Sequence, residues 1–168
     1  MIGLSRIAAA AAAAALLLLT QAVFAQGGSA TTPARSDLLP TEVVDAFYEA
    51  MARGDRTAVL AQLSADVVIY EQGFAELSRD GYAKGSLSND LTFASVVKRE
   101  VLQREAWEEG NLAWVLTQAL VTGDFGENRL ELQNAETLVL RRTDLGWKIV
   151  HIHRSAHPRS SEESIPRP

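Results

Sequence analysis

From Val43 the apolar residues recur at steps of three and four: Val43, Val44, Phe47, Tyr48 and Met51. That spacing puts them on one face of a helix. Pro40-Thr41-Glu42 opens the helix, with Thr41 as a candidate N-cap, and Gly54 is placed to end it as the residue just past the C-cap. Residues 56–63 predict a second, shorter helix with Val59, Leu60 and Leu63 inward, stopped by Ser64-Ala65-Asp66. The β-branched run Val67-Val68-Ile69-Tyr70-Glu71 predicts the first strand. Residues 73–77 are ambiguous, with an edge strand as one reading. Ser78 is placed to cap a third helix that runs loosely to about Phe93 and is weakened by Gly85.

The remainder of the chain alternates with a period of two. Long strands are predicted over residues 95–107, 112–122 and 129–143, separated by turns at residues 108–111 and 123–126. Asp144-Leu145-Gly146 turns the chain into a last strand. There Trp147, Ile149, His151 and His153 alternate with Val150, Ile152 and Arg154. Both sets include apolar residues. The sheet is therefore expected to be covered on both sides, by helices on one and by another sheet or subunit on the other. Helix, helix, strand, helix and then a four-strand meander predict an α+β domain with the helices gathered on one side of a mostly antiparallel sheet.

Length and composition narrow the picture. A chain of 168 residues holds about one domain. Residues 1–25 have the form of a cleavable secretory signal: Arg6, an Ala/Leu run, and Val23-Phe24-Ala25 before Gln26. The run is short for a membrane span, so the expected location is secreted or periplasmic, with no membrane contact after cleavage; an uncleaved anchor is the competing reading. Residues 26–39 read as a Gly/Ser/Thr/Pro linker, residues 40–157 as the folded domain, and residues 158–168 as a disordered polar tail. The formal charge of −5 argues against a nucleic-acid partner. The chain has no cysteine, so neither disulfides nor a thiol nucleophile enter.

The stretch EVVDAFYEAMARGDRTAVLAQLSADVVIYEQG, followed much later by GWKIVHIHRS, resembles the nuclear-transport-factor-2-like superfamily, including its SnoaL-like members. Within it, the pattern around Glu136-Thr137, Arg141-Arg142, Trp147 and Val150-His151 is similar to the association (hub) domain of calcium/calmodulin-dependent kinase II. The resemblance spans about residues 40–157. It implies a cone-shaped, strongly curved sheet (a cystatin-like roll) wrapped around the first helix, an open end that forms a ligand pocket, and an outer face that serves as a dimer interface.

The same resemblance places Glu71 where ketosteroid isomerases carry a catalytic base. An apolar pocket raises a carboxylate's pKa, which suits it to proton abstraction near neutral pH. The competing role for Glu71 is an ion pair with Arg154. The resemblance aligns the isomerases' oxyanion-hole tyrosine with Phe47 and leaves only Glu136 near their neutral aspartate. Arg154 is expected in the pocket, either clamping an anionic ligand or pairing with Glu71 or Glu136. Hub domains carry further pocket arginines, but the matching places here hold Leu138 and Gln118. Tyr82, Gln103, Gln118 and Glu136 complete the expected ligand-binding set, with Tyr70, Glu105, Trp107 and Trp114 as further residues at or near the pocket. His151 and His153 alternate onto one face and His157 follows, but no third ligand at suitable spacing accompanies them, so no metal and no other cofactor is expected. The expectation is an exported, homodimeric protein that binds a small organic molecule, with acid–base chemistry of isomerase, dehydratase or cyclase type by Glu71. The alternative is a non-catalytic module that oligomerises through its outer sheet face, with Thr137, Val139, Trp147, Ile149 and His151 buried between subunits.

Overall fold

A computed structural model describes residues 37–126 and 128–159. The expected signal segment, nearly all of the linker and the tail beyond Arg159 lie outside the described residues. The elements are α1 (Pro40–Ala52), α2 (Arg56–Gln62), β1 (Leu63–Glu71), β2 (Phe74–Glu76), α3 (Arg79–Lys84), α4 (Leu87–Val96), β3 (Val97–Glu109), β4 (Leu112–Phe125), β5 (Asn128–Thr143) and β6 (Gly146–Pro158). The six strands form one open sheet in the order β2-β1-β6-β5-β4-β3. Only β1 and β6 run parallel; all other neighbours are antiparallel. The fold is α+β, with a curved sheet wrapped around the N-terminal helices.

Local chemistry explains most boundaries. Pro40 occupies the first turn of α1, where its missing N–H costs nothing, and Glu42 reaches back to accept from the Leu39 N–H at 2.6 Å. The predicted cap at Thr41 is therefore displaced by two residues. Gly54 takes φ +69°, the left-handed conformation that ends a helix cheaply. Leu63 leaves the helix one residue earlier than its apolar spacing suggests and pairs with Ile149 of β6. The third predicted helix is two helices, broken at Gly85. There the Glu76 carboxylate accepts from the Ser86 N–H and hydroxyl at 3.2 Å each, and a Cβ on residue 85 would collide with that carboxylate. Residues 74–76 form the edge strand β2.

The concave face of the sheet closes over α1. On β4 the inward residues Ala113, Val115, Thr117, Ala119 and Val121 are small and buried, and Ala113 and Val115 join one core with Val43, Val44, Phe47, Ala50 and Met51 of α1. Small residues on the inside let the helix approach closely, and dense packing there is what stabilises the domain. The larger residues of β4 (Trp114, Leu116 and Leu120) face outward and remain partly exposed.

Two one-residue bulges decide which side chains point inward. Val139 pairs with His151 while Leu140 pairs with Ile149, so Val150 is the extra residue. Val101 pairs with Ala119 while Gln103 pairs with Gln118, so Leu102 is the extra residue on β3. A bulge reverses the side-chain alternation beyond it. Trp147 and Ile149 therefore share the inner face with Ile152 and Arg154, and all four are buried. The expected placement of Trp147 and Ile149 on the outer face is thus corrected. Thr137, Val139 and His151 do lie there, partly exposed.

Truncating Ile152 to Ala should cost about 2–5 kcal/mol, as for any large core aliphatic, while Val150→Ala should cost under about 1.5 kcal/mol. Deleting Val150 should abolish cooperative unfolding, because either Trp147 and Ile149 or Ile152 and Arg154 would be driven outward. Urea denaturation followed by tryptophan fluorescence measures all three.

Candidate functional site

The inner face of the sheet changes character along one row of cross-strand neighbours. Ile69, Ile152, Leu138 and Val115 are paired across β1, β6, β5 and β4 and form an apolar floor. Two residues further along, the same pairing brings together Glu71, Arg154, Glu136 and Thr117, with Arg104 beyond Thr117 on β3. Acid, base and acid thus alternate on adjacent strands. Above this row lies a cavity of about 500 Å³. Tyr48, Glu71, Asp90, Arg99, Asn134, Glu136 and Arg154 line its polar part, and Met51, Phe93, Ala94, Val97, Val121 and Leu132 its apolar part.

Arg154 is held by two acids. Its Nη2 donates to Glu71 Oε2 at 2.7 Å and to Asp90 Oδ2 at 3.1 Å. The Tyr82 hydroxyl donates to the same Asp90 oxygen at 2.7 Å. Arg99 forms a second centre, donating to Glu136 Oε2 at 2.6 Å while its guanidinium lies 4.0 Å from the centre of the Tyr48 ring. The Glu136 side chain is 1 % exposed, so its charge depends on that partner. Within the described residues, both arginine Nε atoms and Asn134 Oδ1 are buried without a hydrogen-bond partner, and the buried Tyr48 hydroxyl lies beside the Glu136 carboxylate.

These contacts set the proton affinities. Burial pushes the Glu71 carboxyl above the usual carboxylate range, and the Asp90 charge adds to the rise, although Arg154 pulls the other way. Burial likewise raises the Tyr48 and Tyr82 hydroxyls, so both stay protonated donors. Burial opposes the charge on Arg154, but the surrounding acidic groups outweigh it and hold its proton more tightly. The arrangement offers one carboxylate of raised basicity, two fixed guanidiniums and a protonated tyrosine around an apolar space.

Of the expected site residues, Glu71, Arg154 and Glu136 meet at this cavity. Tyr82 lies beneath it, fully buried, and orients Asp90 instead of facing a ligand. Gln103 and Gln118 do not belong to the cavity. The Leu102 bulge turns Gln103 outward opposite Gln118, and both border a separate groove on the convex face with Glu105, Thr137, His153 and Ser155. Tyr70, Trp107 and Trp114 are also outside; Trp107 and Trp114 stack there with ring centres 6.0 Å apart. Leu138 is core, so neither position matched to a second hub arginine reaches the cavity, yet a second arginine is present as Arg99.

Tyr48, Arg99 and Asn134 escaped the sequence reading, and Asp90 was not assigned a role. Phe47 fills the core, and Tyr48, one step around α1, faces the cavity with Asp45, Met51 and Ala52. An available signal was the spacing of Asp45, Tyr48 and Ala52, a second stripe beside the apolar one. Arg99 lies at the same strand parity as Val97 and Val101, an arginine in an otherwise apolar alternation.

Residues 41–159 match the SnoaL-like domain family, and the chain belongs to it. Among solved structures, it resembles a candidate ketosteroid isomerase from Shewanella frigidimarina with a TM-score of 0.65 and 29% identity, over 68% of this chain and 92% of that one. It resembles the hub of calcium/calmodulin-dependent kinase II from S. rosetta with a TM-score of 0.62 and 23% identity, over 73% and 100% of the respective chains. A candidate dehydratase of the nuclear-transport-factor-2-like family from Streptomyces avermitilis aligns with a TM-score of 0.60 and 21% identity, over 71% and 93%. Among curated protein sequences no relative matches.

Asp90→Asn should lower the Glu71 pKa. Arg154 would be released toward Glu71, and a like charge would vanish; both favour the ionised form. Titration of the Glu71 side-chain carbon by NMR, in the wild-type chain and the variant, measures the shift.

Proposed function

We propose that this chain binds a small organic ligand inside the cone and that Glu71 acts on it as a general base, in chemistry of isomerase, dehydratase or cyclase type. The observation that carries this reading is the Glu71 carboxylate on the cavity wall, which burial makes more basic while Arg154 holds one of its oxygens. Burial raises its basicity toward neutral pH, while Arg154 fixes which oxygen remains free. Glu71 lines space large enough for a ligand. The buried Tyr48 hydroxyl, protonated at any physiological pH, lies on the cavity wall beside Glu136 and is the donor placed to meet negative charge that develops on the ligand when a proton leaves. The names borne by the Shewanella and Streptomyces structures support the same class of chemistry. Export belongs to this proposal through the signal-like pattern of residues 1–25, and N-terminal sequencing of the mature protein should begin at Gln26.

A base of this kind exchanges the α-protons of a bound ketone with solvent. A panel of cyclic ketones in deuterated water, followed by NMR, tests it without knowledge of the natural substrate. The exchange rate should rise with pH through a midpoint above the ordinary glutamate range, because only ionised Glu71 accepts a proton. Glu71→Gln should lower it by about 10²–10⁴-fold with ligand affinity within a few-fold. Exchange that is unchanged in Glu71→Gln would remove Glu71 from the mechanism.

The convex face favours a second, compatible reading, in which copies of the chain associate through the sheet. Trp107 is 47% exposed and stacks on Trp114, and Leu116, Leu120 and Val139 extend the apolar surface around them. Monomeric proteins seldom leave such a patch open. Trp114→Arg should leave the fold intact and turn a dimer into a monomer in analytical ultracentrifugation. A wild-type chain that sediments as a monomer at micromolar concentration would end this second reading.

A further inference from the structure

We propose that the cone selects its ligand by charge, admitting a neutral or cationic organic molecule and refusing anions. This rests on the ligand-binding reading above and names the class of ligand. Two arginines in the pocket suggest an anion clamp, but each already gives one terminal nitrogen to an acid. Arg154 gives its terminal nitrogen to Glu71 and Asp90, and Arg99 gives its own to Glu136. The deep part of the cavity therefore holds three carboxylates against two guanidiniums. At the rim Asp45 pairs with Arg104, and Glu49 pairs with Arg53, so neither pair alters that balance.

An anionic ligand that reaches the remaining nitrogens of either guanidinium still meets the net negative charge of the three carboxylates, and one that takes the bonded nitrogen must displace an acid. Taking Arg99 would leave Glu136, whose side chain is almost wholly buried, without its cation. Taking Arg154 would leave Glu71 and Asp90 facing each other across the cavity without their common cation. A neutral molecule avoids both costs and keeps the ion pairs intact. A cation is attracted by the uncompensated carboxylate charge. The apolar wall of Met51, Phe93, Val97, Val121 and Leu132 accepts the body of either.

Three probes with one body and different heads isolate the effect: naphthylmethylamine, naphthylmethanol and naphthoate. Binding is read from NMR shifts of cone-lining amides in the full mature chain at a pH where Glu71 is ionised. The amine and the alcohol are expected to bind, with naphthoate weaker by at least about tenfold, the size one unpaired charge produces at this range. Glu71→Gln, a substitution at the half-exposed end of the row, balances the charges and should narrow the gap between amine and carboxylate by about the same factor. Naphthoate binding as tightly as the alcohol, or a gap unchanged in Glu71→Gln, overturns the charge rule while ligand binding stands. No probe shifting any cone-lining amide overturns the ligand-binding reading and this inference with it.

Discussion

The buried guanidinium of Arg154 organises this molecule's interior. A charge taken out of water is tolerated only with partners, and the protein supplies them from two separate parts of the chain: Glu71 at the end of β1 and Asp90 on α4. Satisfying that charge pins the parallel junction between β1 and β6, draws α4 onto the open end of the cone, and fixes where the apolar core stops. One pair of residues below it, Ile152 and Leu138 are sealed among hydrophobic neighbours. One pair above it, space remains. The boundary between core and cavity is the row of residues to which Arg154 belongs.

That arrangement also explains why the cavity persists in a domain of this size. Side chains large enough to fill it would have to come from Val101, Val121, Asn134 or Leu132, and these are small or are held in place by the sheet. The helix that could collapse into the space, α4, is held at its distance by the bond from Arg154 to Asp90 and by the Tyr82 hydroxyl behind it. The polar network therefore works as a spacer as well as an electrostatic device. Its cost is a set of buried donors without partners, a pattern found where a protein keeps groups available for something outside itself.

The two faces of the sheet differ in character. The concave face uses small residues on β4 to close on α1 and reserves its charges for one end. The convex face carries the bulky tryptophans and leucines of β3 and β4 and has no helix over it among the described residues. A fold of this kind hosts different functions on the two surfaces without conflict, because the strand alternation isolates them from one another.

The order of helices and strands was legible because periods of 3.6 and two are local properties of the chain, and so were the turns at Gly54 and at residues 144–146. The acid and the base at the cavity, Glu71 and Arg154, were also legible, since a strand-end carboxylate and an arginine in an apolar strand stand out against their neighbours. What the chain alone could not settle was which side of each strand faces inward. A single inserted residue, Val150 or Leu102, leaves no mark in a run of alternating side chains, yet it exchanges inside for outside from that point on; it moved Trp147 into the core and Gln103 out of the site. Nor could one helix declare that Tyr48, and not Phe47, meets the cavity, because a step of one residue turns only about a quarter of the way round. Periodicity thus determined the elements and their candidates for chemistry, while the pairing of strands distant in sequence decided which of those candidates share a space.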